Sequence, residues 1–246
     1  MRNKIYILGN GSMAKALAIG LKDKYDLCIV ARNENSFSFF KEYGIQTSLY
    51  DGFDIDKKDI LLAFKPYALN DMSKILQGEA RILISVLAGV KMENLKSIKA
   101  KNYARIMPNI AAKYKKSTTS FILENNLFKD EILDIIKTFG DAFELEKEEL
   151  FDPAMLISGC APAFLSLVAE SIANAGLCEG LKNELSYELT ISLFHGFAEL
   201  LEREHPALIK EQICSPAGVT IKGVKALEEE GLRYAFFKAF AAALKK

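Results

Sequence analysis

The chain contains no tryptophan, only two histidines and only four cysteines in 246 residues. The histidines, His195 and His205, form no His-Glu-x-x-His pattern, so a helix-borne zinc site is not expected. Cys28, Cys160, Cys178 and Cys214 lie far apart and include no Cys-x-x-Cys pair. That spacing excludes a zinc ribbon and gives no disulfide framework; reduced thiols and no metal are the expectation. Neither sign of charge is in excess, since Lys+Arg and Asp+Glu both total 32. Such a chain lacks the field that drives sequence-independent binding to nucleic acid or anionic lipid. No apolar run in the sequence is expected to reach membrane-spanning length. The opening MRNKIYILG turns straight into a strand-like run, without a signal peptide's apolar segment. A cytoplasmic protein with neither a nucleic-acid nor a membrane partner is the expectation. Internal repeats and low-complexity stretches are also lacking.

What is present falls into two halves with different periods. KIYILG, DLCIVA, DILLAF, RILISV, NYARIM and TSFILE are strand-sized apolar runs. SMAKALAIGLKDKY and SFSFFKEYG, between them, are of helical length. LFKDEILDIIKTFG reads as an amphipathic helix and DAFELE as a last strand. Strands alternating with helices predict an α/β fold, a parallel sheet with helices on both faces, over residues 1–148.

From 149 to 246 the strand runs stop. PAFLSLVAESIANAGL, ELSYELTISLFHGFAELLERE, PALIKEQI, TIKGVKALEEE and GLRYAFFKAFAAALKK all read as helices. The second of these is apolar over most of its circumference. Leu185, Leu189, Leu193 and Leu200 lie on one side; Ile191, Phe194, Ala198 and Leu201 lie on another. A helix that apolar needs cover on several sides. A second subunit is expected to supply part of it, making the protein a homodimer or a higher homo-oligomer.

ILGNGSMAKAL joins the first strand to the first helix. Gly9 and Gly11 have the spacing of a dinucleotide-binding GxGxx(G/A), with Ala14 in the third place. The first glycine permits the tight turn, the second lets backbone approach a pyrophosphate, and the third position packs helix on strand. The loop from Leu8 through Asn10, Ser12 and Met13 is thus a candidate phosphate cradle, with a tight structural turn as the plainer reading. The second strand ends in IVARNEN, where an NAD site usually carries an acidic residue for the ribose. Arg32 and Asn33 stand there instead. Arg32 can pair with a 2′-phosphate, which favours NADP(H), with NAD(H) as the weaker alternative; a solvated surface arginine remains the other reading. Glu34, one residue further on, would reverse the argument if the register slipped by one.

SPAGVTIKG, residues 215–223, opens another helix. Pro216 suits a first helical turn, and Ala217 and Gly218 leave the backbone bare. Such a start offers unpaired N–H groups to an anion. The Thr220 hydroxyl either serves a ligand or merely caps and packs. Lys65 sits at a strand's carboxyl end, where ligands bind in this architecture. His195, beside Glu199 and Glu202, reads as solvated, His205 as a turn residue, and Cys160 as a small packing residue in a glycine-proline break between helices.

The chain resembles the pyrroline-5-carboxylate reductases over nearly its whole length. The likeness lies in GNGSMAKALAIGL, AFKP at 63–66, SVLAGV at 85–90, RIMPN at 105–109, SGCAPAF at 158–164 and HPALIKEQICSPAGVTIKGVKALEEEG at 205–231. The resemblance implies a Rossmann-type domain followed by an all-helical dimerisation and substrate domain. It also implies hydride transfer from NADPH to a small cyclic imine bearing one carboxylate. It puts Ala63, Phe64, Lys65 and Pro66, together with Val86, Leu87 and Ala88, on the cofactor, and Gln212 near the nicotinamide. It puts the substrate carboxylate against Ser215, Ala217, Gly218 and Val219, and gives Thr220 the catalytic role of orienting the imine nitrogen.

Departures from the pattern are Ala14, Ala161 and Ala217 in place of glycines, the missing Thr-Pro after RIMPN, and Tyr50 or Asp51 where an asparagine often meets the cofactor. An acidic residue often found near the His-Pro pair corresponds to Glu202 or Glu204, though Arg203 is nearest in register. Another imine or β-hydroxy-acid reductase on the same scaffold, a non-catalytic NADP-binding sensor and a structural dimer are the alternatives. The lysine of hydroxy-acid dehydrogenases is not evident here.

Overall fold

The computed structural model describes residues 3–244. Met1 and Arg2 of the opening run, and Lys245 and Lys246 of the last predicted helix, lie outside the described residues. Two compact units divide the chain, residues 1–159 and 160–246.

The first unit is built on β1 (Lys4–Leu8), α1 (Ser12–Leu21), β2 (Asp26–Ala31), α2 (Phe37–Glu42), β3 (Gln46–Leu49), β4 (Asp59–Leu62), α3 (Leu69–Ile75), β5 (Ile82–Ser85), α4 (Met92–Leu95), β6 (Tyr103–Met107), β7 (Ser117–Leu123), α5 (Lys129–Thr138), β8 (Gly140–Glu144) and α6 (Phe151–Met155). The strands form one sheet in the order β3-β2-β1-β4-β5-β6-β7-β8. The first six are parallel in the order of a Rossmann sheet. The side-chain period of two divides the core. Ile5, Ile7, Leu61, Ile82, Ile84 and Ile106 pack with α1 and α5 on one face. Leu8, Ile60, Leu62, Leu83 and Tyr103 pack with α3 and α4 on the other.

Every strand run read from the sequence is a strand, but the sheet is not all parallel. β6 and β7 are antiparallel, pairing Ala104 with Leu123 and Met107 with Ser120. The link between them holds only a 3-10 helix at Ile110–Tyr114. That is too short for the crossover a parallel pair needs. β3 was not expected from the sequence. It is a short edge strand, partly exposed, and its QTSL carries no apolar alternation.

RIMPN does structural work here. Arg105 is only 4% exposed; its guanidinium pairs with Glu148 and lies 4.1 Å over the Phe151 ring. The Asn109 side chain accepts from Ala111 N at 3.0 Å and donates to Ser158 O at 2.9 Å.

The second unit holds α7 (Ala161–Cys178), α8 (Asn183–Leu201), α9 (Pro206–Ile213), α10 (Val219–Glu229) and α11 (Leu232–Leu244). α7 and α8 pack closely: Ser186 Oγ donates to Ala173 O at 2.7 Å, and a Cβ on Gly176 would lie 2.4 Å from that hydroxyl. Among the described residues of this unit only Ala173, Ser186, Thr190 and Ile209 are buried. Leu185, Leu189, Ile191, Leu193, Leu200 and Leu201 are all exposed. Helices that apolar and that open need apolar cover.

SGCAPAF is not a break between helices. A π-turn at Leu156–Cys160 absorbs Gly159 and the missing N–H of Pro162, so helical turns run from Glu148 to Cys178. This run of 31 residues reaches a mean hydropathy of 1.6 over its most apolar window, enough by length and composition to cross a membrane. The expectation that no apolar stretch reaches that length is therefore corrected. Gly159 and Pro162 divide the run in the sequence but not in space.

Candidate active site

The sheet reverses its order between β1 and β4, and the loops leaving β1, β2, β4 and β5 converge beyond the strands' carboxyl ends. They enclose a cleft of ≈ 520 Å³. Gly9, Asn10, Gly11, Ser12, Met13, Arg32, Asn33, Ala63, Phe64, Lys65, Pro66, Val86, Leu87 and Ala88 all line it. Crevices at such a switch point are where this architecture takes its ligands.

The glycines of the loop do different things. Gly9 has φ +130°, and a Cβ there would stand 2.5 Å from Ala63 O and 2.8 Å from Phe64 N. The loop can thus press against the end of β4 only with a bare backbone. Gly11 is the N-cap of α1 with φ −78°, and a Cβ there meets nothing within 4 Å. α1 has no acidic residue in its first turn and no side-chain cap. Its first N–H groups therefore face the cleft unopposed, which suits a pyrophosphate. The side chains of Arg32 and Lys65 have no hydrogen bond or ion pair among the described residues, so both cations are free for anionic groups.

Tyr50 lines the same cleft, and its hydroxyl is buried without a hydrogen-bond partner among the described residues. An orphaned donor beside an open helix N-terminus and two free cations fits a phosphorylated dinucleotide.

Two of the cofactor candidates do not line the cleft. Leu8 is 0% exposed and its side chain packs in the core, because it points to the sheet face opposite Ile7. Only its backbone serves the loop, accepting from Ala63 N at 2.8 Å. Gln212 lies on α9 in the second unit, where its amide donates to Glu204 Oε2 at 2.6 Å. Glu204 is thus the acidic partner in this region, while Arg203 pairs with Glu199 at 3.0 Å. The sequence reading missed Ala31, Tyr67, Ala68, Met72 and Ile110, which also line the cleft. Tyr67 and Ile110 are exposed apolar side chains, 83% and 61%, and carry no motif signal.

In the second unit Ser215–Gly218 forms a β-turn closed by Gly218 N to Ser215 O at 3.0 Å. Pro216 occupies the turn's second position and lies outside the first turn of the helix, which begins at Val219. Its fixed φ suits either place, and the turn claims it. The Gly218 N–H is consumed by that turn, so Val219 and Thr220 supply the free donors at the start of α10. No acidic residue and no side-chain cap opposes them. Val219 is 89% exposed. The Thr220 hydroxyl has no partner among the described residues and so does not cap its own helix.

Ala217 has φ +59°, at the turn position that favours glycine. A left-handed alanine costs ~1–2 kcal/mol, partly offset by its stiffer unfolded chain. Ala217→Gly is therefore expected to stabilise the protein by about 1 kcal/mol, read as a higher denaturation midpoint. A lower midpoint would show that the alanine methyl makes a packing contact worth more than its strain.

A family model described as pyrroline-5-carboxylate reductase dimerisation matches residues 148–246, and one described as NADP oxidoreductase, coenzyme F420-dependent, matches residues 4–89. The chain is 40% identical over 254 residues to a pyrroline-5-carboxylate reductase of Helicobacter pylori (strain J99), covering 98% of each. It is 31% identical over 256 residues to that of Treponema pallidum, covering 96% of this chain and 97% of the relative. The solved 1-pyrroline-5-carboxylate reductase of Streptococcus pyogenes is similar in structure, with a TM-score of 0.85 at 27% identity over 98% of this chain and 96% of that one. A pyrroline carboxylate reductase of Plasmodium falciparum, solved with NADP bound, gives a TM-score of 0.84 at 27% identity over the same shares.

Proposed function

Because the chain belongs to the pyrroline-5-carboxylate reductase family, we propose that it reduces 1-pyrroline-5-carboxylate to proline with NADPH, the final step of proline synthesis, the cleft of the first unit taking the cofactor and the start of α10 taking the substrate. The observation that carries the assignment of residues is the start of α10. Two backbone donors and a hydroxyl without a partner among the described residues stand together there, with no acidic residue in the first turn.

The substrate brings one carboxylate and one C=N bond. The N–H groups of Val219 and Thr220 hold the carboxylate, favoured by the helix dipole. Ser215 and Ala217 shape the turn that leaves those donors open, and Gly218 caps the helix. Thr220 Oγ1 hydrogen-bonds the imine nitrogen and fixes the direction in which the C=N carbon faces. NADPH supplies the hydride when it is bound. The Gly9–Met13 loop would hold its pyrophosphate and Arg32 its 2′-phosphate, and the segments Ala63–Pro66 and Val86–Ala88 would wall it in. An alcohol is a weak acid, so Thr220 orients the nitrogen, and the imine carries its proton to the site.

The helical residues 149–246 form a homodimer or larger homo-oligomer, and the open apolar faces of α7 and α8 are its interface. The dimerisation model over 148–246 supports that reading of the Glu148–Cys178 run over a membrane span. Four free cysteines suit a cytoplasmic protein.

The test is NADPH oxidation by the purified protein with pyrroline-5-carboxylate, repeated with NADH and with a six-membered cyclic imine acid. Fast oxidation with the five-membered ring, and faster with NADPH than with NADH, is expected. Tight NADPH binding with no imine reduced would make the protein an NADP-binding sensor.

A further inference from the structure

One carboxylate oxygen joins three elements of the first unit. Glu148 Oε1 accepts from Met92 N, the first N–H of α4, at 2.6 Å, and from the Arg105 guanidinium on β6. Glu148 is also the first residue of the helical run that ends at Cys178. Lys91, the N-cap of α4, makes no side-chain cap, so the glutamate of a distant segment takes that place. Arg105 is buried and stacked on the Phe151 ring, which is itself 2% exposed. A guanidinium packed in this way is a fixed point, and it fixes the carboxylate that it meets.

Residues 86–91 connect β5 to α4, and Val86, Leu87 and Ala88 of that segment line the cleft. The near end is tied to the sheet: Val86 N donates to Leu62 O at 3.1 Å, and Leu87 N to Ser85 Oγ at 3.2 Å. The far end, at Met92, is tied to Glu148. Ala88 and Gly89, between the two ties, are exposed. A shift of the far end therefore passes to the wall of the cleft. Hydride transfer tolerates little of this, since a misplacement of ~1 Å can slow a reaction by about 10². We infer that Glu148 is a positioning residue for the reduction, holding the Val86–Ala88 wall in register with the base of the helical run. The inference rests on the reductase reading above.

The experiment compares the wild type with Glu148→Ala, with Glu148→Gln, and with Glu149→Ala as a control on the neighbouring exposed acid. Amide hydrogen exchange without cofactor is followed at residues 86–92. NADPH affinity and kcat with pyrroline-5-carboxylate are measured per folded molecule. Glu148→Ala is expected to speed exchange at Met92 about tenfold or more, since that N–H loses its acceptor. It is expected to lower kcat at least about tenfold, with NADPH affinity within about threefold of the wild type's. Glu148→Gln keeps an Oε1 that can accept from both donors, and is expected to keep most of the activity. Glu149→Ala is expected to keep all of it. If Glu148→Ala does not fold, because it strands a buried guanidinium, Arg105→Met combined with Glu148→Met removes the charge and the tie together, and is expected to show the same loss of kcat. A role in stability alone would lower the melting temperature and leave kcat per folded molecule unchanged, which would overturn the inference. Unchanged exchange at Met92, or a loss confined to NADPH affinity, would overturn it too. A wild type that reduces no imine would sink the reductase reading and this inference with it, whereas an active wild type matched by Glu148→Ala would sink only the role of Glu148.

Discussion

Thr220→Ala is expected to lower turnover about 10²-fold or more, the effect of losing the orientation of a reacting group, while NADPH affinity stays at the wild-type value. The two readouts separate because Thr220 is on α10 in the helical unit and the cofactor cleft is built wholly from the first. Folding should not suffer. The Thr220 hydroxyl has no partner among the described residues, the side chain is exposed, and alanine is the better helix former. Thr220→Ser, which keeps the hydroxyl, should restore most of the activity. Steady-state rates with saturating NADPH, beside a direct binding titration, decide the matter. Turnover unchanged in Thr220→Ala would remove the residue from the mechanism.

Gly9→Ala is expected to cost about 4 kcal/mol of stability, combining left-handed strain with overpacking, and to abolish NADPH binding in whatever folds. The added methyl would stand 2.5 Å from Ala63 O, just past the end of β4 in a residue whose N–H is held by Leu8 O at 2.8 Å, at a φ of +130°. The loop would have to lift off β4, and both walls of the cleft would move. Gly11→Ala is the matched control. Its methyl meets nothing within 4 Å of the protein and its φ of −78° suits any residue. Stability should change by no more than about 1 kcal/mol, the scale of an N-cap exchange. NADPH affinity should still fall, because the methyl would stand in the loop proposed to hold the pyrophosphate. Equal melting temperatures for Gly9→Ala and the wild type would show that the approach of this loop to β4 is not needed for the fold.

Much of the cleft was legible in the sequence because its parts are local. The Gly9–Met13 loop, the Arg32–Asn33 strand end and the AFKP and SVLAG segments each follow a strand, and a parallel sheet brings the carboxyl ends of its strands to one edge. Tyr67, Met72 and Ile110 were not legible, since they reach the cleft from segments with no periodic or motif signal. β3 escaped because an edge strand buries too little to need an apolar pattern. Leu8 was misplaced because a motif names a stretch of backbone, while the alternation of the strand decides which of its side chains face the ligand.

The sequence by itself determined the class of the fold, the place of the glycine loop and the helical second half, and its resemblance to a family implied the kind of reaction. Period, turn chemistry and local spacing are properties of a few consecutive residues, so they survive without coordinates. Tertiary structure alone decided the antiparallel turn of β7, the burial of Arg105 against Glu148, the joining of Glu148–Cys178 through a π-turn, the left-handed Ala217 and the orphaned Tyr50 hydroxyl. Each of these depends on which distant groups come within reach or fail to, and pairing between groups far apart in the chain leaves no mark on local pattern.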